Sequence, residues 1–198
     1  ATLALLLAEK GHRVTALDIR PEFLEYASSR HTHGDIRFVP GNLFEVDLVP
    51  KSFDLVFANQ IIEHVLDPVQ KIARLAEHLK PGGRLVMTTP NGAYVRNGLP
   101  TYEAFSQGGG EFVENSADAD GHFFAFVSHE LTRYVEDAGL TVESFGFLET
   151  PLVNGHMKFR YLLPLLPQHV NRGIDSFILR CPGLKQFLAH QLFVIGRK

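Results

Sequence analysis

The sequence is poor in cysteine, since Cys181 is the only one among 198 residues. A single cysteine excludes an internal disulfide framework and any cysteine-based metal cluster. This scarcity is consistent with a reducing compartment, and we predict a cytoplasmic protein. Cys181 itself is predicted to be a small buried hydrophobic residue, which is a common setting for a free cysteine.

Clusters of positive charge are also missing. The 19 lysines and arginines are scattered and are outnumbered by 22 acidic residues, which gives a formal net charge of -3. Proteins that bind nucleic acid usually carry a basic patch or stripe. We therefore expect no nucleic-acid partner.

Long hydrophobic runs are absent as well. The opening ATLALLLAEKG has no basic residue ahead of its apolar run, and that run is far too short to cross a bilayer. It predicts a helix rather than a signal peptide or a membrane anchor. With 198 residues, 45% of them hydrophobic, the chain is long enough for one ordinary domain, and we assign residues 1–198 to a single domain.

Metal-ligand spacing is missing too. His31 and His33 share a loop, but no cysteine or carboxylate accompanies them at a spacing typical of metal sites. We interpret the two histidines as solvated loop residues and expect no metal site.

What the sequence does contain is a regular alternation of helices and strands. Helices are predicted for residues 1–10, 21–30, 68–79 and 128–138, the last of them capped by Ser128. Strands are predicted for residues 13–17, 36–39, 53–58, 84–89, 140–147 and 192–195, and the apolar run at 53–58 is typical of a strand buried on both faces. This order indicates an α/β fold, a Rossmann-like three-layer sandwich around a mainly parallel sheet.

Polar or turn residues follow successive strands: Asp18, Gly41 with Asn42, Asn59 and Asn91. In open α/β sheets these carboxyl ends share one edge, where ligands bind. An acidic residue placed like Asp18 accepts hydrogen bonds from ribose hydroxyls in nucleotide-binding proteins. Asp18 alone supports equally well the alternative of an aspartate that precedes a helix start.

Five segments form a recognisable pattern in their order and spacing: LAEKGHRVTALDI, VPGNL, FDLVFANQIIEHVLDP, LKPGGRLVMTTPN and GHFFAFVSHELTRYVEDAGL. Together they resemble the class I S-adenosylmethionine-dependent methyltransferases. Within this family they are most similar to the small-molecule branch that includes the ubiquinone-biosynthesis O-methyltransferases. The resemblance implies S-adenosylmethionine as the cofactor and an antiparallel last strand in the sheet.

The resemblance also implies which five residues bind the cofactor. Asp18 would hold the ribose, and Ile19 would pack on the adenine. Asn42 would bond the adenine amino group, with Leu43 as its apolar neighbour. Asn59 would lie near the methionine part and the reactive methyl group.

The chemistry implied by the resemblance is methyl transfer to a small-molecule acceptor, with oxygen as the expected acceptor atom. Glu63 and His64 match a Glu-His pair of the family, and His122 resembles a histidine that precedes a late helix. His64 and His122 are the candidate bases, because histidine titrates near neutral pH. For each histidine taken alone we favour the structural alternative, in which His64 bonds its loop and His122 fixes the helix start.

One part of the family pattern is absent. Neither the first strand with its acidic residue nor the Gly-x-Gly-x-Gly turn precedes the helix that begins at Ala1. We therefore expect an N-terminally truncated sequence, a sheet with a gap or exposed edges, and poor binding of S-adenosylmethionine by these 198 residues. The rival interpretations are a noncatalytic scaffold or regulatory protein and, from Asp18, a nicotinamide-dependent dehydrogenase, which fits the later strands less well.

Two further segments differ from the family core. Residues 107–112 are rich in glycine and predict a lid within a long loop at 93–121. Residues 150–190 form a helical insertion before the last strand, with apolar and basic side chains. We interpret this insertion as a helical hairpin packed on the sheet or as a dimer interface. The alternatives are a cover over a hydrophobic acceptor and a peripheral contact with anionic lipid.

Overall fold

The computed structural model describes residues 2–108, 122–151 and 165–198. The chain divides into two compact units, Ala1–Leu48 and Val49–Lys198, and each is described by itself. The assignment of the whole chain to a single domain stays a prediction. Of the predicted lid at 107–112, only residues 107 and 108 belong to the described part of the chain.

The first unit contains two helices and two parallel strands. Its elements are α1 (Thr2–Glu9), β1 (Arg13–Asp18), α2 (Pro21–Arg30) and β2 (Asp35–Pro40). The strands pair in register from Arg13 opposite Asp35 to Asp18 opposite Pro40, so their carboxyl ends coincide. The buried apolar side chains of this unit are Ala8, Ala16, Leu24, Ala27 and Val39.

Two glycines determine how this unit turns. Gly11 follows α1 with a φ of +88°, as the predicted helix end requires. Gly34 precedes β2 with a φ of +101°, and a Cβ atom there would lie 2.3 Å from the carbonyl oxygen of Ala8. Only glycine therefore allows this close approach of the β2 entrance to α1.

The second unit contains a four-stranded mixed sheet. Its elements are β3 (Phe53–Asn59), a 3₁₀ turn (Ile62–His64), α3 (Pro68–Glu77), β4 (Leu79–Pro90), α4 (Tyr102–Gln107), α5 (Ser128–Asp137), β5 (Thr141–Leu148), α6 (Gln168–Arg180), α7 (Pro182–Leu188) and β6 (Gln191–Arg197). The strand order is β3-β4-β6-β5, and β6 is antiparallel to both of its neighbours. The predicted α/β, Rossmann-like fold with an antiparallel last strand is confirmed.

The described strands form two sheets rather than one continuous sheet. In the first unit β1 pairs with β2, and in the second unit β3 pairs with β4. Among the described residues neither β1 nor β3 has a second partner, so each is an edge strand of its own sheet. The expected interruption of the sheet is therefore present.

Helix α3, which lies where the sequence predicts a helix, has a side-chain cap and a buried apolar face. The carboxylate of Asp67 accepts a hydrogen bond of 2.9 Å from the backbone N–H of Gln70, which caps the first turn. Its apolar stripe is buried, and Ile72 and Leu75 have almost no exposed surface. Burial of this face, more than intrinsic propensity, stabilises so short a helix.

The prediction that residues 53–58 are buried on both faces was wrong. Leu55 is 46% exposed and Phe57 is 40% exposed, although Ala58 is buried. An apolar run shows which residues tend to be buried, but β3 is an edge strand in this unit. The exposure of one face depends on which elements cover it, and composition does not encode that.

Strand β4 begins earlier than expected. It starts at Leu79 rather than at Arg84, and the Pro-Gly-Gly sequence lies inside its first part. The register with β3 shifts there, because Phe53 lies opposite Leu79 while Leu55 lies opposite Arg84. Gly82 has a φ of +77° and supplies the backbone conformation that this irregularity needs.

The predicted cap of α5 was also wrong. Ser128 is the first helical residue, and Val127 occupies the capping position. The Glu130 carboxylate accepts the backbone N–H of Val127 at 3.0 Å and so takes over the capping role. The same carboxylate accepts the backbone N–H of Glu103 at 3.0 Å, which connects α5 to α4.

Helices occupy the described parts of both long segments. The predicted loop at 93–121 contains α4, and the segment at 150–190 contains α6 and α7. Cys181, between α6 and α7, is partly exposed, so the prediction that it is buried was wrong. The apolar stretch at 161–166 falls largely outside the described residues. No helix in the described ranges has the length and apolar character that a membrane span requires.

Candidate active site

The carboxyl edge of the first unit brings together the residues predicted to hold the cofactor ribose and adenine. Asp18 is the last residue of β1, and its Oδ1 accepts the backbone N–H of Arg20 at 3.0 Å. The backbone N–H of Gly41 donates to the carbonyl oxygen of Asp18 at 3.0 Å, which joins the ends of β1 and β2. Ile19 is 39% exposed beside it. Asp18 thus supports the start of α2 and still has acceptor positions for a ligand.

Asn42 follows Gly41 at the end of β2. Its Oδ1 accepts the backbone N–H of Phe44 at 3.0 Å, and its Nδ2 donates to Glu45 at 2.9 Å. These bonds form an Asx turn that holds the loop in shape. Leu43 is partly buried beside it. The cofactor-binding roles of Asn42 and Leu43 stay predictions.

Asn59 ends β3 in the second unit. Its side-chain oxygen accepts the Thr88 hydroxyl at 2.7 Å, across the parallel pair β3 and β4. The next residue, Gln60, has a φ of +54°, which non-glycine residues seldom adopt. Its backbone N–H donates to the carbonyl oxygen of Thr88 at 3.0 Å. Such strained positions are frequent at functional sites, and this one directs the chain from β3 into the 3₁₀ turn.

The 3₁₀ turn places Glu63 and His64 beside His122, and we call these three residues the carboxylate–histidine cluster. The His122 Nε2 atom lies 3.9 Å from the Glu63 Oε1 atom. The rings of His64 and His122 lie edge to face, with centroids 4.9 Å apart. The backbone N–H of Phe123 donates to the carbonyl oxygen of Glu63 at 3.4 Å, which holds the His122 segment against the turn. Both predicted candidate bases therefore belong to one cluster.

Glu63 has an unusual environment for a carboxylic acid. Its side chain is fully buried, and its Oε2 accepts the Thr89 hydroxyl at 3.1 Å. Burial raises the pKa of Glu63 to about 7, although its own backbone and the Thr89 hydroxyl oppose this change. The pKa of His122 is lowered, mainly by burial and also by the neighbouring His64. Groups with shifted pKa values in contact with each other mark candidate functional sites.

Asn91 does not take part in an open crevice, contrary to the expectation from its position after a strand. It is only 1% exposed. Its Nδ2 donates to the carbonyl oxygens of Gln186 and Ala189 at 2.8 Å, and its Oδ1 accepts the N–H of Ala93 at 3.0 Å. The side chain is consumed in structural hydrogen bonds that connect β4 to the end of α7.

Glu63 was predicted as half of a Glu-His pair but not as a candidate site residue. One signal was available, because Glu63 is a lone carboxylate inside the otherwise apolar IIEHV segment. A buried charge needs a partner or a proton. Its partner Thr89 lies on β4, and no local pattern connects the two positions.

Comparison with known proteins agrees with this architecture. Residues 1–87 match the family model described as "Methyltransferase domain". The chain is 30% identical over 154 residues to a ubiquinone biosynthesis O-methyltransferase of Xanthomonas euvesicatoria pv. vesicatoria, an alignment that covers 75% of this chain and 62% of that protein. These matches support a class I S-adenosylmethionine-dependent methyltransferase.

Solved methyltransferases show the same fold. The S-adenosylmethionine-dependent methyltransferase of Mesorhizobium loti superposes with a TM-score of 0.60 at 16% identity, covering 94% of this chain and 80% of that one. The 1,6-didemethyltoxoflavin-N1-methyltransferase of Burkholderia thailandensis, solved with its substrate and S-adenosylhomocysteine, gives a TM-score of 0.53 at 20% identity and covers 96% of this chain and 63% of that one. In the sequence alignment, the chain spans 62% of the length of the Xanthomonas relative, which is less than two thirds.

Proposed function

We propose that this chain is part of an enzyme that transfers a methyl group from S-adenosylmethionine to an oxygen atom of a small-molecule acceptor. The observation that carries the proposal is the carboxylate–histidine cluster at the carboxyl end of β3. An oxygen nucleophile must lose a proton, and the cluster offers two imidazoles and a carboxylate for that purpose. The Xanthomonas relative is named as an O-methyltransferase, which supports oxygen as the acceptor atom.

The residues of the first unit fit the cofactor. The Asp18 carboxylate uses Oδ1 for one backbone N–H, and an ionised carboxylate can accept several hydrogen bonds, such as those from two ribose hydroxyls. Ile19, at 39% exposed, provides apolar surface against which an adenine can pack. When bound, S-adenosylmethionine supplies an activated methyl group, so the protein has to position the acceptor and manage its proton.

The second unit has the groups that manage a proton. A general base must be neutral before it acts, and the lowered pKa of His122 keeps its imidazole neutral at neutral pH. The His122 side chain is 41% exposed and is accessible to an acceptor, while the Glu63 carboxyl group beside it is buried. His64 is the second candidate base, through its ring contact with His122.

The acceptor class and the compartment belong to this proposal. The Burkholderia structural neighbour supports a small-molecule acceptor, because it was solved with the small molecule 1,6-didemethyltoxoflavin bound. That neighbour is itself an N-methyltransferase. A hydrophobic acceptor, the absence of a nucleic-acid partner and a cytoplasmic location stay predictions from the sequence. A noncatalytic scaffold or regulatory role is the alternative, and activity decides between the two.

The activity test uses S-adenosylmethionine carrying a deuterated methyl group, a panel of phenols and catechols, and a matched panel of aromatic amines. The protein is prepared as the 198-residue chain and together with any residues encoded ahead of Ala1. Label in an O-methyl product supports the proposal. Label only in amines would replace oxygen by nitrogen as the acceptor atom, and no label in any product would favour the noncatalytic alternative.

A binding test addresses the cofactor residues separately. Asp18→Ala should weaken binding of S-adenosylhomocysteine in calorimetry by about tenfold or more, since hydrogen bonds to a charged group contribute about 1.5–3 kcal/mol. Asp35→Ala is the matched control, because Asp35 is an exposed carboxylate at the opposite end of the same two-stranded sheet. Equal affinity of the two variants would remove Asp18 from the cofactor site.

A further inference from the structure

The carboxylate–histidine cluster has the composition of a metal site. One potential ligand atom from each of Glu63, His64 and His122 lies within 4.8 Å of the other two. Ligands around a single zinc ion are separated by about 3–3.5 Å, given metal–ligand distances of about 2.0–2.2 Å. The His122 Nε2 and Glu63 Oε1 atoms are 3.9 Å apart, and rotation of the His122 side chain, which is 41% exposed, can shorten this distance.

A second observation points to a ligand at this place. Glu63 is fully buried, and within the described residues its Oε1 atom has no hydrogen-bond partner. This is the same oxygen atom that lies nearest to His122, whereas the Oε2 atom is occupied by the Thr89 hydroxyl. A buried carboxylate oxygen that faces imidazole nitrogens without a bond is best satisfied by a cation.

The framework around the cluster is well ordered by hydrogen bonds. Glu63 is fixed to β4 through Thr89, and the His122 segment is fixed to the turn through the Phe123 N–H. The hydroxyl of Thr89 acts on the carboxylate as outer partners do in metal sites, where they orient the ligand and tune its basicity. Preorganised ligands of this kind lose little conformational entropy when a cation binds.

We propose that the carboxylate–histidine cluster binds one divalent transition-metal cation through Glu63, His64 and His122. Two imidazoles and one carboxylate suit zinc, cobalt and iron(II), whereas magnesium and calcium prefer oxygen donors only. Three protein ligands leave at least one coordination position open. This proposal replaces the expectation from the sequence that the chain has no metal site.

The role of the cation rests on the proposed methyl transfer. An acceptor hydroxyl that occupies the open position would be oriented by the cation and would become more acidic, as metal-bound water does. The two imidazoles would then act as ligands and not as bases, and the hydroxyl proton would pass to solvent water. Metal binding itself depends only on the three side chains, so it can be tested without cofactor or acceptor.

The test measures the metal alone on the 198-residue chain, without an affinity tag and after removal of metals with a chelating resin. Zinc chloride titrated in a calorimeter should bind with one equivalent per chain. Cobalt chloride should give visible absorption bands that zinc then abolishes. Magnesium chloride should bind more weakly than zinc. Absence of zinc binding, or a preference for magnesium, would overturn the proposal.

Variants localise the site. Glu63→Gln preserves the size of the side chain, and His122→Ala truncates a side chain that is 41% exposed, so the second variant leaves the core intact. Each should weaken zinc binding by about tenfold or more, as even outer-partner changes do at metal sites. His129→Ala, at an exposed histidine of α5, is the matched control and should bind like the unmodified chain. Equal zinc affinity of His122→Ala and His129→Ala would refute the assignment.

The two proposals can fail separately. Zinc binding that depends on Glu63 and His122, without methyl transfer to any acceptor, would refute only the proposed function. Methyl transfer that persists in excess chelator, together with zinc affinity unaffected by Glu63→Gln, would refute the metal site and leave the histidines as bases.

Discussion

Thr89 donates a hydrogen bond of 3.1 Å to the Oε2 atom of Glu63, and both side chains are fully buried. This bond connects β4 to the turn that follows β3 in the candidate site. Thr89 therefore holds the Glu63 carboxylate in place. Substitution of Thr89 tests how much this hydrogen bond contributes to the stability of the fold.

Thr89→Val keeps the shape of the side chain and removes the donor. We expect a loss of about 1–3 kcal/mol in the free energy of unfolding, because a second carboxylate oxygen of Glu63 loses its buried partner. Urea unfolding followed by circular dichroism measures this loss. Thr141→Val, at the exposed first residue of β5, is the control and should change little. Equal stability of the two variants would show that the Thr89 bond contributes nothing.

Much of the architecture follows from local chemistry. Pro21, Asp67 and Pro68 mark helix starts, Gly11 marks a helix end, and the observed elements begin or end at these positions. These signals act within one helical turn, so a single sequence is enough to detect them. Strand β6 is also detected locally, since the predicted strand at 192–195 lies within the observed Gln191–Arg197.

Features that depend on distant partners were not predictable in the same way. The exposure of Leu55 and Phe57 depends on which elements cover β3. The buried Glu63 carboxylate depends for its hydrogen bond on Thr89, which lies on β4. In the candidate site, His64 and His122 were identified separately, but their contact depends on how two segments fold together. Sequence therefore indicated the chemical groups, and the fold determined which of them meet.

Substitution of Asn91 tests whether this polar residue has a structural role or a ligand-binding role. Asn91→Ala removes three hydrogen bonds from a position that is 1% exposed. We expect a loss of about 2–3 kcal/mol in the free energy of unfolding, in the upper part of the range for buried polar groups that lose a partner. Thermal and urea unfolding measure the effect, with Gln168→Ala at an exposed amide of α6 as the control. A stability unchanged from that of the control would return Asn91 to the list of ligand-binding candidates.

The burial of His78 should make the stability of the fold depend on pH. His78 is only 2% exposed, and both of its ring nitrogens are buried. Burial lowers the pKa of His78, with Arg74 and Lys198 acting in the same direction and the Val49 backbone and Glu77 in the opposite one. Between this lowered pKa and about 6.5, the unfolded chain binds more protons than the folded chain.

The contribution of His78 to stability should therefore be complete above about pH 6.5 and decrease as the pH falls towards its folded pKa. His78→Phe, which keeps an aromatic ring without ionisable nitrogens, should show a smaller loss of unfolding free energy between about pH 7.5 and about pH 5.5. Urea unfolding at the two pH values measures the difference. The control is His129→Phe on the exposed face of α5, which should keep the pH dependence of the unmodified chain. Parallel pH profiles for both variants would contradict the assignment.

Gly196 allows β6 to pack closely against α5 and the start of β5. A Cβ atom on Gly196 would lie 2.9 Å from Val135 and 3.1 Å from Leu140, both of which are buried. Gly196→Ala should therefore destabilise the chain by about 1–3 kcal/mol, the usual range for overpacking a core. Gly173 in α6 is the matched control, because a Cβ atom there meets nothing within 4 Å. Gly173→Ala should stabilise the helix by up to about 1 kcal/mol, so urea unfolding should give opposite signs for the same chemical change. The same sign for both substitutions would mean that packing at Gly196 is looser than these distances indicate.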